Sequence, residues 1–460
     1  MASATGTDQE TSALMELARD VVKRARAGGA DVAEAIARSG SELSTKVRLG
    51  EPELVEEAGH RSIGMRVIKQ QRVALTSTSD LTPRGLARFV QDALELADIA
   101  QEDPFAGPAD PALIARGPFE DLELYDPAGG QVTAAEAIEL ARRAEGAARA
   151  FDPRITNSDG ATFSRTAGSV ALALSGGFEG TSRGSYASLV VTPMADDEGG
   201  KKRRGFHWTA KRHLADLDAP EDVGREAARR TLRKLGARKV ATCEAPVVFD
   251  PDAARALLGM LAGCVMGSSI WRKSSYLVGR EGTRVASELV TIIDDPLIVR
   301  APGSRPFDGE GLCSRRNLVV EDGVLRTYLC DSYSARKLSR ASTASASRSG
   351  GGGVGPSTSN LLLQPTTDSA QSILRATKRG LYVTEMMGFG FNAVTGDFSR
   401  GAAGFWIEDG ELAFPVNEVT ISLSLDQLWQ SVDAVGDDLD LRTSTASPTL
   451  RVASMTIAGS

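Results

Sequence analysis

Residue types able to activate water or hold a cation are sparse in this chain, and their positions limit the chemistry open to it. Hydrolysis by a bound zinc ion needs donors that converge. A helix supplies them most simply as two histidines about one turn apart with a glutamate beside them. The sequence has three histidines, His60, His207 and His213, all in its first half and none with a second histidine at i+3 or i+4. They read as surface or structural residues. A serine nucleophile fares no better. With no histidine beyond His213, a Ser-His-Asp triad inside the second half is excluded.

Paired acids come next. Asp294-Asp295, Asp308 with Glu310, and Asp437-Asp438 have the composition of a glycosidase dyad or a hard-cation site. Adjacent carboxylates more often mark solvated turns, and Asp294-Asp295-Pro296 and Asp437-Asp438 are read that way. The four cysteines, Cys243, Cys264, Cys313 and Cys330, contain no C-x-x-C pair, so reduced thiols are expected. Cys264 falls in an apolar helix, where a thiol is normally packed and inert. The densest group of specifying residues is the glycine-rich segment 388–408. There Asn392, Thr395, Asp397 and Ser399 can bond backbone amides while the glycines permit close approach. Such a segment suits a rigid loop pressed on another chain or an extended peptide, and equally an elaborate internal turn.

The elements that must position these residues follow from periodicity. Leu14, Leu17, Ala18, Val21, Val22 and Ala25 recur at helical spacing before Gly28-Gly29. Residues 30–38 and 43–49 are strand-like, and residues 62–68 and 72–76 form a hairpin about Lys69-Gln70-Gln71. Thr82-Pro83 opens a second helix. Residues 104–127 are proline-rich and irregular, and Thr133 with Glu136 caps a third helix running to about Phe151. Strands at 169–174 and 185–192 precede a basic amphipathic helix at 220–235. Beyond it, residues 253–266 are the one long apolar helix among short strands at 289–293, 316–320, 324–329, 404–407, 418–423 and 450–457. Residues 339–359 are a Ser, Ala, Gly and Thr run with Gly350 to Gly353, expected to be a mobile loop without fixed structure. No Lys-Ser/Thr follows there in P-loop register.

At 460 residues the chain is expected to form two domains, an N-terminal mixed α/β domain over 1–239 and a β-rich, barrel-like domain over 240–460, an α+β protein. Hydrophobic residues at 42% and charged residues at 25% fit a compact soluble protein, and no apolar stretch is long enough to span a bilayer. The N-terminus lacks an apolar signal region, so a cytoplasmic location is expected. A net charge of −7 argues against general nucleic-acid binding. Lys201-Lys202-Arg203-Arg204, the local exception, reads as a solvated loop.

The stretch GFGFNAVTGDFSRGAAGFWIEDGELAFPVNEVTISLSL closely resembles the C-terminal signature of the TldD/PmbA family. So, in order, do Ile63-Gly64-Met65-Arg66-Val67-Ile68, Ser274-Ser275-Tyr276-Leu277-Val278-Gly279, Asp294-Asp295-Pro296, Arg305-Pro306-Phe307-Asp308-Gly309-Glu310-Gly311, Gly323-Val324-Leu325, Asp331-Ser332-Tyr333-Ser334-Ala335-Arg336 and Met455-Thr456-Ile457-Ala458-Gly459. In that family the TldD-type subunit carries H-E-x-x-x-H on the central helix of the second domain, with a cysteine near the C-terminus as third zinc ligand. Here the motif falls on Gly259-Met260-Leu261-Ala262-Gly263-Cys264, and no cysteine follows Cys330. Gly259 and Met260 can neither bind zinc nor activate water, so Gly259, Met260 and Cys264 are vestigial metal-site positions.

What the resemblance implies is therefore a TldE/PmbA-type subunit with no catalytic residues and no zinc of its own. Its TldD-type partner would supply the zinc in a heterodimer that degrades or processes unfolded or modified peptides. This chain would wall the cavity and stabilise its partner, and the peptide would bind as an added strand. Without such a partner, the expectation becomes a homodimeric peptide-binding or regulatory module.

Overall fold

The computed structural model describes residues 4–459. The chain opens with α1 (Ala4–Ala27), then β1 (Val32–Arg48), β2 (Glu51–Lys69), β3 (Arg72–Thr78) and α2 (Pro83–Ile99). After an irregular stretch come α3 (Ala134–Ala150), β4 (Ile155–Leu174), β5 (Glu179–Asp196), β6 (Lys202–Arg204), β7 (His207–Lys211) and α4 (Pro220–Leu232). The strands form one antiparallel sheet, ordered β3-β2-β1-β4-β5-β6 with β7 also on β5. Local signals set the helix starts: Thr82 caps α2 ahead of Pro83, and Thr133 and Glu136 form a reciprocal capping box on α3.

Alternation puts opposite chemistry on the two sheet faces. Ala33, Ala35, Ala37, Ala171 and Ala173 present small side chains to Leu14, Val21, Phe89 and Val90 of α1 and α2. Farther along, Leu43, Phe163 and Leu189 pack on Ala141, Ala144, Val223 and Ala227 of α3 and α4. Glu34 and Ile36 alternate with those alanines, and Ile36, Leu172 and Phe178 form an apolar cluster against which Phe307 of the second half packs. The two strand-like pieces expected at 30–38 and 43–49 are one continuous strand, β1. The first part of β2 was not expected, because residues 51–61 are exposed throughout and bear no burial alternation to read. Lys202 to Arg204 form an edge strand rather than a loop, and Asp196, Asp197 and Asp159 pair its three basic side chains.

The second half begins with β8 (Cys243–Phe249), α5 (Pro251–Cys264), α6 (Gly267–Trp271), β9 (Ile292–Asp294), β10 (Asn317–Glu321), β11 (Val324–Leu325) and α7 (Ser332–Lys337). It continues through β12 (Ala346–Arg348), β13 (Val354–Pro356), β14 (Leu361–Leu363), α8 (Ala370–Ala376), β15 (Arg379–Met387), β16 (Asp397–Glu408) and β17 (Glu411–Ser424). Last come α9 (Leu425–Gln430), β18 (Val432–Val435), β19 (Thr445–Ala446) and β20 (Leu450–Ala458). β8 pairs with β15 and β20, β15 with β16, β16 with β17, and β17 returns to β20, so these strands close a barrel. A second sheet runs β11-β10-β9-β14-β19. Phe249, Leu257, Leu258, Leu261 and Trp429 share one core with both. The α+β class and barrel-like second half are as the sequence implied.

Two expectations are overturned together. The Ser/Gly-rich segment 339–359 is built into the protein: Ser342, Thr343, Ser345 and Arg348 are buried, and β12 pairs with β13. Asp294, Asp308 and Glu310 are buried as well, not solvated. Asp308 accepts from the amides of Glu310 and Leu312 at 2.9 Å and Ala346 at 3.1 Å, Asp294 from Ser359 at 2.6 Å, and Glu310 from Ser332 at 2.8 Å. The acids thus satisfy backbone donors of segments with few apolar side chains of their own.

The same segment meets the N-terminal sheet through a buried charge cluster. Glu34 Oε2 accepts from Arg348 Nη2 at 2.7 Å and from Arg66 Nη1 at 3.1 Å. Burial pushes the Glu34 carboxyl up, and the two guanidiniums more than reverse this, leaving it below the ordinary value. Glycines allow the contact: a Cβ at Gly64 would stand 2.1 Å from Gly350 O, and one at Gly352 2.7 Å from the Met65 backbone.

Replacing Glu34 with Gln leaves two buried guanidiniums without a counter-charge. Urea unfolding should show a loss of about 3–5 kcal/mol, and a loss under about 1 kcal/mol would mean the cluster does not hold the halves together. Glu310 behaves oppositely. Burial first, and then Asp308, raise its carboxyl from 4.5 to about 7. An acid raised in the folded state contributes stability below its unfolded value and loses that contribution as pH rises through about 7. Glu310→Gln, which keeps an acceptor for Ser332, should therefore be more stable than the parent by roughly 1–3 kcal/mol at about pH 8 and equal to it near pH 4.5. Equal stability at the higher pH would refute the assignment.

Candidate functional site

α5 starts sharply. Asp250 caps it by accepting from Ala253 N at 2.8 Å, with Pro251 at the first turn. Its inward stripe of Ala254, Leu257, Leu258, Leu261 and Cys264 is buried, whereas Gly259 and Gly263 are exposed. A Cβ built at either glycine meets nothing within 4 Å, so this face of the helix opens onto free space. Met260 is partly buried against the core.

The three positions named from the motif do not converge. Gly259 faces outward with no side chain, Met260 flanks it, and Cys264 points into the core. Burial pushes the Cys264 thiol up to about 11, opposed by a hydrogen bond from Ser275. A glycine, a thioether and a thiol held in its protonated form do not fit a zinc site, which takes thiolate, imidazole or carboxylate donors. Among the described residues no group of three His, Cys, Asp or Glu side chains is arranged to hold a metal ion. At the N-terminal end of α5, Asp250 titrates at about 7, raised by burial, beside a cavity of about 180 Å³ that Arg230, Arg233 and Tyr382 also line. Its bond to Ala253 makes it a helix cap.

The glycine-rich loop between β15 and β16 is tied to the C-terminal end of this helix through neighbouring residues: Tyr276 N donates to Ala393 O at 2.8 Å and Ser275 Oγ to Cys264 O at 2.7 Å. Asn392, Thr395 and Asp397 are brought together, but on one another. Asn392 Oδ1 accepts from Val394 N at 3.0 Å and Thr395 N at 3.5 Å, and Thr395 Oγ1 donates to Asp397 Oδ2 at 2.6 Å. Ser399 joins through its backbone, donating to Gly390 O at 2.8 Å. These polar residues therefore hold the loop's own shape. What the loop presents is apolar: Phe389 is 101% exposed, Val394 56% and Met387 44%. Sequence reasoning passed over Phe389, although an aromatic side chain between Gly388 and Gly390 is the signal that could have found it. The histidines remain apart from this face. His60 is exposed, His207 is partly buried on β7, and His213 Nε2 lies 2.9 Å from Glu123 O.

Thiol accessibility checks this description. Cys313 is exposed and Cys243 half-buried, whereas Cys264 and Cys330 are buried, the latter pushed up to about 12 by burial. Brief alkylation of the native protein, read by peptide mass spectrometry, should label Cys313 and leave Cys264 and Cys330 unmodified until denaturant is added. Rapid native labelling of Cys264 would contradict its inward placement.

No helix among the described residues is long and apolar enough to cross a membrane. Models of the PmbA/TldA metallopeptidase match the chain in three parts: domain 1 over residues 33–97, the central domain over 127–235 and the C-terminal domain over 242–459. The chain is 38% identical to the metalloprotease PmbA of Escherichia coli O157:H7, covering 97% of this chain and 96% of that protein. It is 36% identical to a PmbA homolog of Haemophilus influenzae, covering 95% and 94%. A crystal structure of a proposed modulator of DNA gyrase from Bacteroides thetaiotaomicron matches with a TM-score of 0.90 at 28% identity, covering 97% of this chain and 98% of that one. TldE from Thermococcus kodakarensis matches with a TM-score of 0.86 at 20% identity, covering 96% and 100%, a likeness of fold alone. Matched along nearly its whole length by sequence as well as by fold, the chain belongs to the PmbA/TldD family of metallopeptidases.

Proposed function

We propose that this chain is the TldE/PmbA-type, zinc-free subunit of a two-chain metallopeptidase acting on unfolded or modified peptides. The observation that carries the reading is the outward face of α5. The helix keeps its packing stripe, yet Gly259, Met260 and Cys264 stand where the family's catalytic subunit has two histidines and a glutamate. Neither glycine nor methionine can polarise a peptide carbonyl or take a proton from water. Cleavage must then be performed by residues of a TldD-type partner, which carries its own metal. This chain contributes shape: the open face of α5 and the loop tip at Phe389 supply a wall and an anchor. An exposed aromatic on a loop stiffened by its own hydrogen bonds suits a contact whose ordering cost is already met.

The test combines metal content, activity and association. The isolated chain should contain well under one zinc per molecule and leave unfolded peptides intact. With a TldD-type chain bearing H-E-x-x-x-H, it should form a stable complex whose peptidase activity a chelator removes. Phe389→Asp should weaken that association at least tenfold while leaving the circular dichroism spectrum and unfolding midpoint unchanged. Stoichiometric zinc with proteolysis by the isolated chain would sink the proposal. A dimer of this chain that ignores the TldD-type chain would replace it with the homodimeric peptide-binding module.

A further inference from the structure

A cavity of about 410 Å³ lies between the N-terminal sheet and the loop at residues 304–307. Three strand glycines lie in its floor among polar side chains. Gly40 of β1, Gly168 of β4 and Gly184 of β5 stand opposite one another in register, so three adjacent strands lack a Cβ at this level. A Cβ at Gly40 would meet the His60 ring at 2.8 Å, one at Gly168 the Ser39 carbonyl at 2.7 Å, and one at Gly184 the Arg212 guanidinium at 3.1 Å. Glycine inside a strand commonly marks a place where a ligand or another backbone comes close.

Besides Arg183, which stacks on the Tyr125 ring, three arginines line the same cavity, Arg38, Arg212 and Arg305. Burial lowers each below the ordinary arginine value, and for Arg38 burial is the sole cause. Their recorded hydrogen bonds go to neutral oxygens: Arg38 donates to Arg348 O at 2.6 Å, and Arg212 to the carbonyls of Ala301, Pro302 and Ser185. The Nε atoms of Arg38 and Arg305 are buried and have no partner among the described residues. Asp294 and Asp308, which act on Arg305, are engaged with backbone amides. Glu42, also on the cavity wall, is solvent-exposed. Arg38 in particular is desolvated, keeps an unused donor and has no acid acting on it, and arginine does not relieve its burial by losing its proton.

The geometry points to a site for the terminal carboxylate of a peptide lying extended over the three glycines, with Arg38, Arg305 and Arg212 receiving the anion. A small inorganic anion needs no run of glycines across three strands, whereas a peptide backbone approaching the sheet does. This assignment specifies part of the substrate chemistry and rests on the peptide-handling role proposed above.

Calorimetric titration of the full isolated chain with acetyl-trialanine, its C-terminal amide and inorganic phosphate decides the matter. The free acid should bind at least tenfold more tightly than the amide. Arg38→Met should abolish that preference and Arg38→Lys restore part of it, with thermal melts confirming that both variants fold. Equal binding of acid and amide, or an unchanged preference in a folded Arg38→Met protein, would overturn the assignment. So would phosphate binding more tightly than the free acid. If neither variant folds, the comparison of acid with amide on the unaltered chain is sufficient. Zinc content and partner association are untouched by these outcomes, so failure here is distinct from failure of the subunit role.

Discussion

A carboxylate in the interior must have its charge answered, and in this protein Glu34 is answered from two directions, by Arg66 on the neighbouring strand and by Arg348 from the second half of the chain. The first pairing is local to the β1–β2 ribbon. The second joins the N-terminal sheet to the Ser/Gly-rich segment of the second half. Leaving any one of the three unpaired would cost several kcal/mol, so the segment cannot leave the sheet without exposing or stranding charge. With it are placed β12, β13 and the carbonyl that receives Arg38.

The second half meets a general difficulty: much of its chain is irregular, and buried irregular backbone needs hydrogen-bond partners that strands and helices would otherwise provide. It finds them in carboxylates and hydroxyls. Asp294, Asp308 and Glu310 take amides from distant segments, Thr343 bonds Cys330 N, and the Asn392–Asp397 turn closes on itself. Burial accordingly raises the affinities of these acids for protons, the opposite of Glu34, where two cations dominate. Acids of one type thus serve two different tasks, distinguished by whether an arginine or a backbone amide faces them.

The helix at the candidate site separates structure from chemistry. Leu257, Leu258 and Leu261 hold α5 in the core whatever stands on its outward face, so the helix tolerates exposed glycines there. Open space lies above Gly259 and Gly263, and the loop beyond them in sequence ends in an apolar tip at Phe389. The arginine-lined cavity lies on a different part of the molecule, against the face of the N-terminal sheet that the second half covers.

Much of this was legible in the residues. Helix caps at Thr82 and Thr133, the hairpin about Gln70-Gln71 and the apolar stripe of α5 are local properties of spacing and residue type, so the sequence alone determined them. Low-complexity composition at 339–359 suggested mobility, because composition reports what a segment can bury by itself. Its order comes instead from Glu34, 314 residues from Arg348 in the chain. Likewise Asp294 and Glu310 resemble surface acids until the amides of Ser359 and Ser332 are brought to them, and Arg38 is one polar residue on a strand until Gly168, Gly184 and Arg305 assemble around it. These features depend on which distant groups share one desolvated space, and only the folded chain decides that.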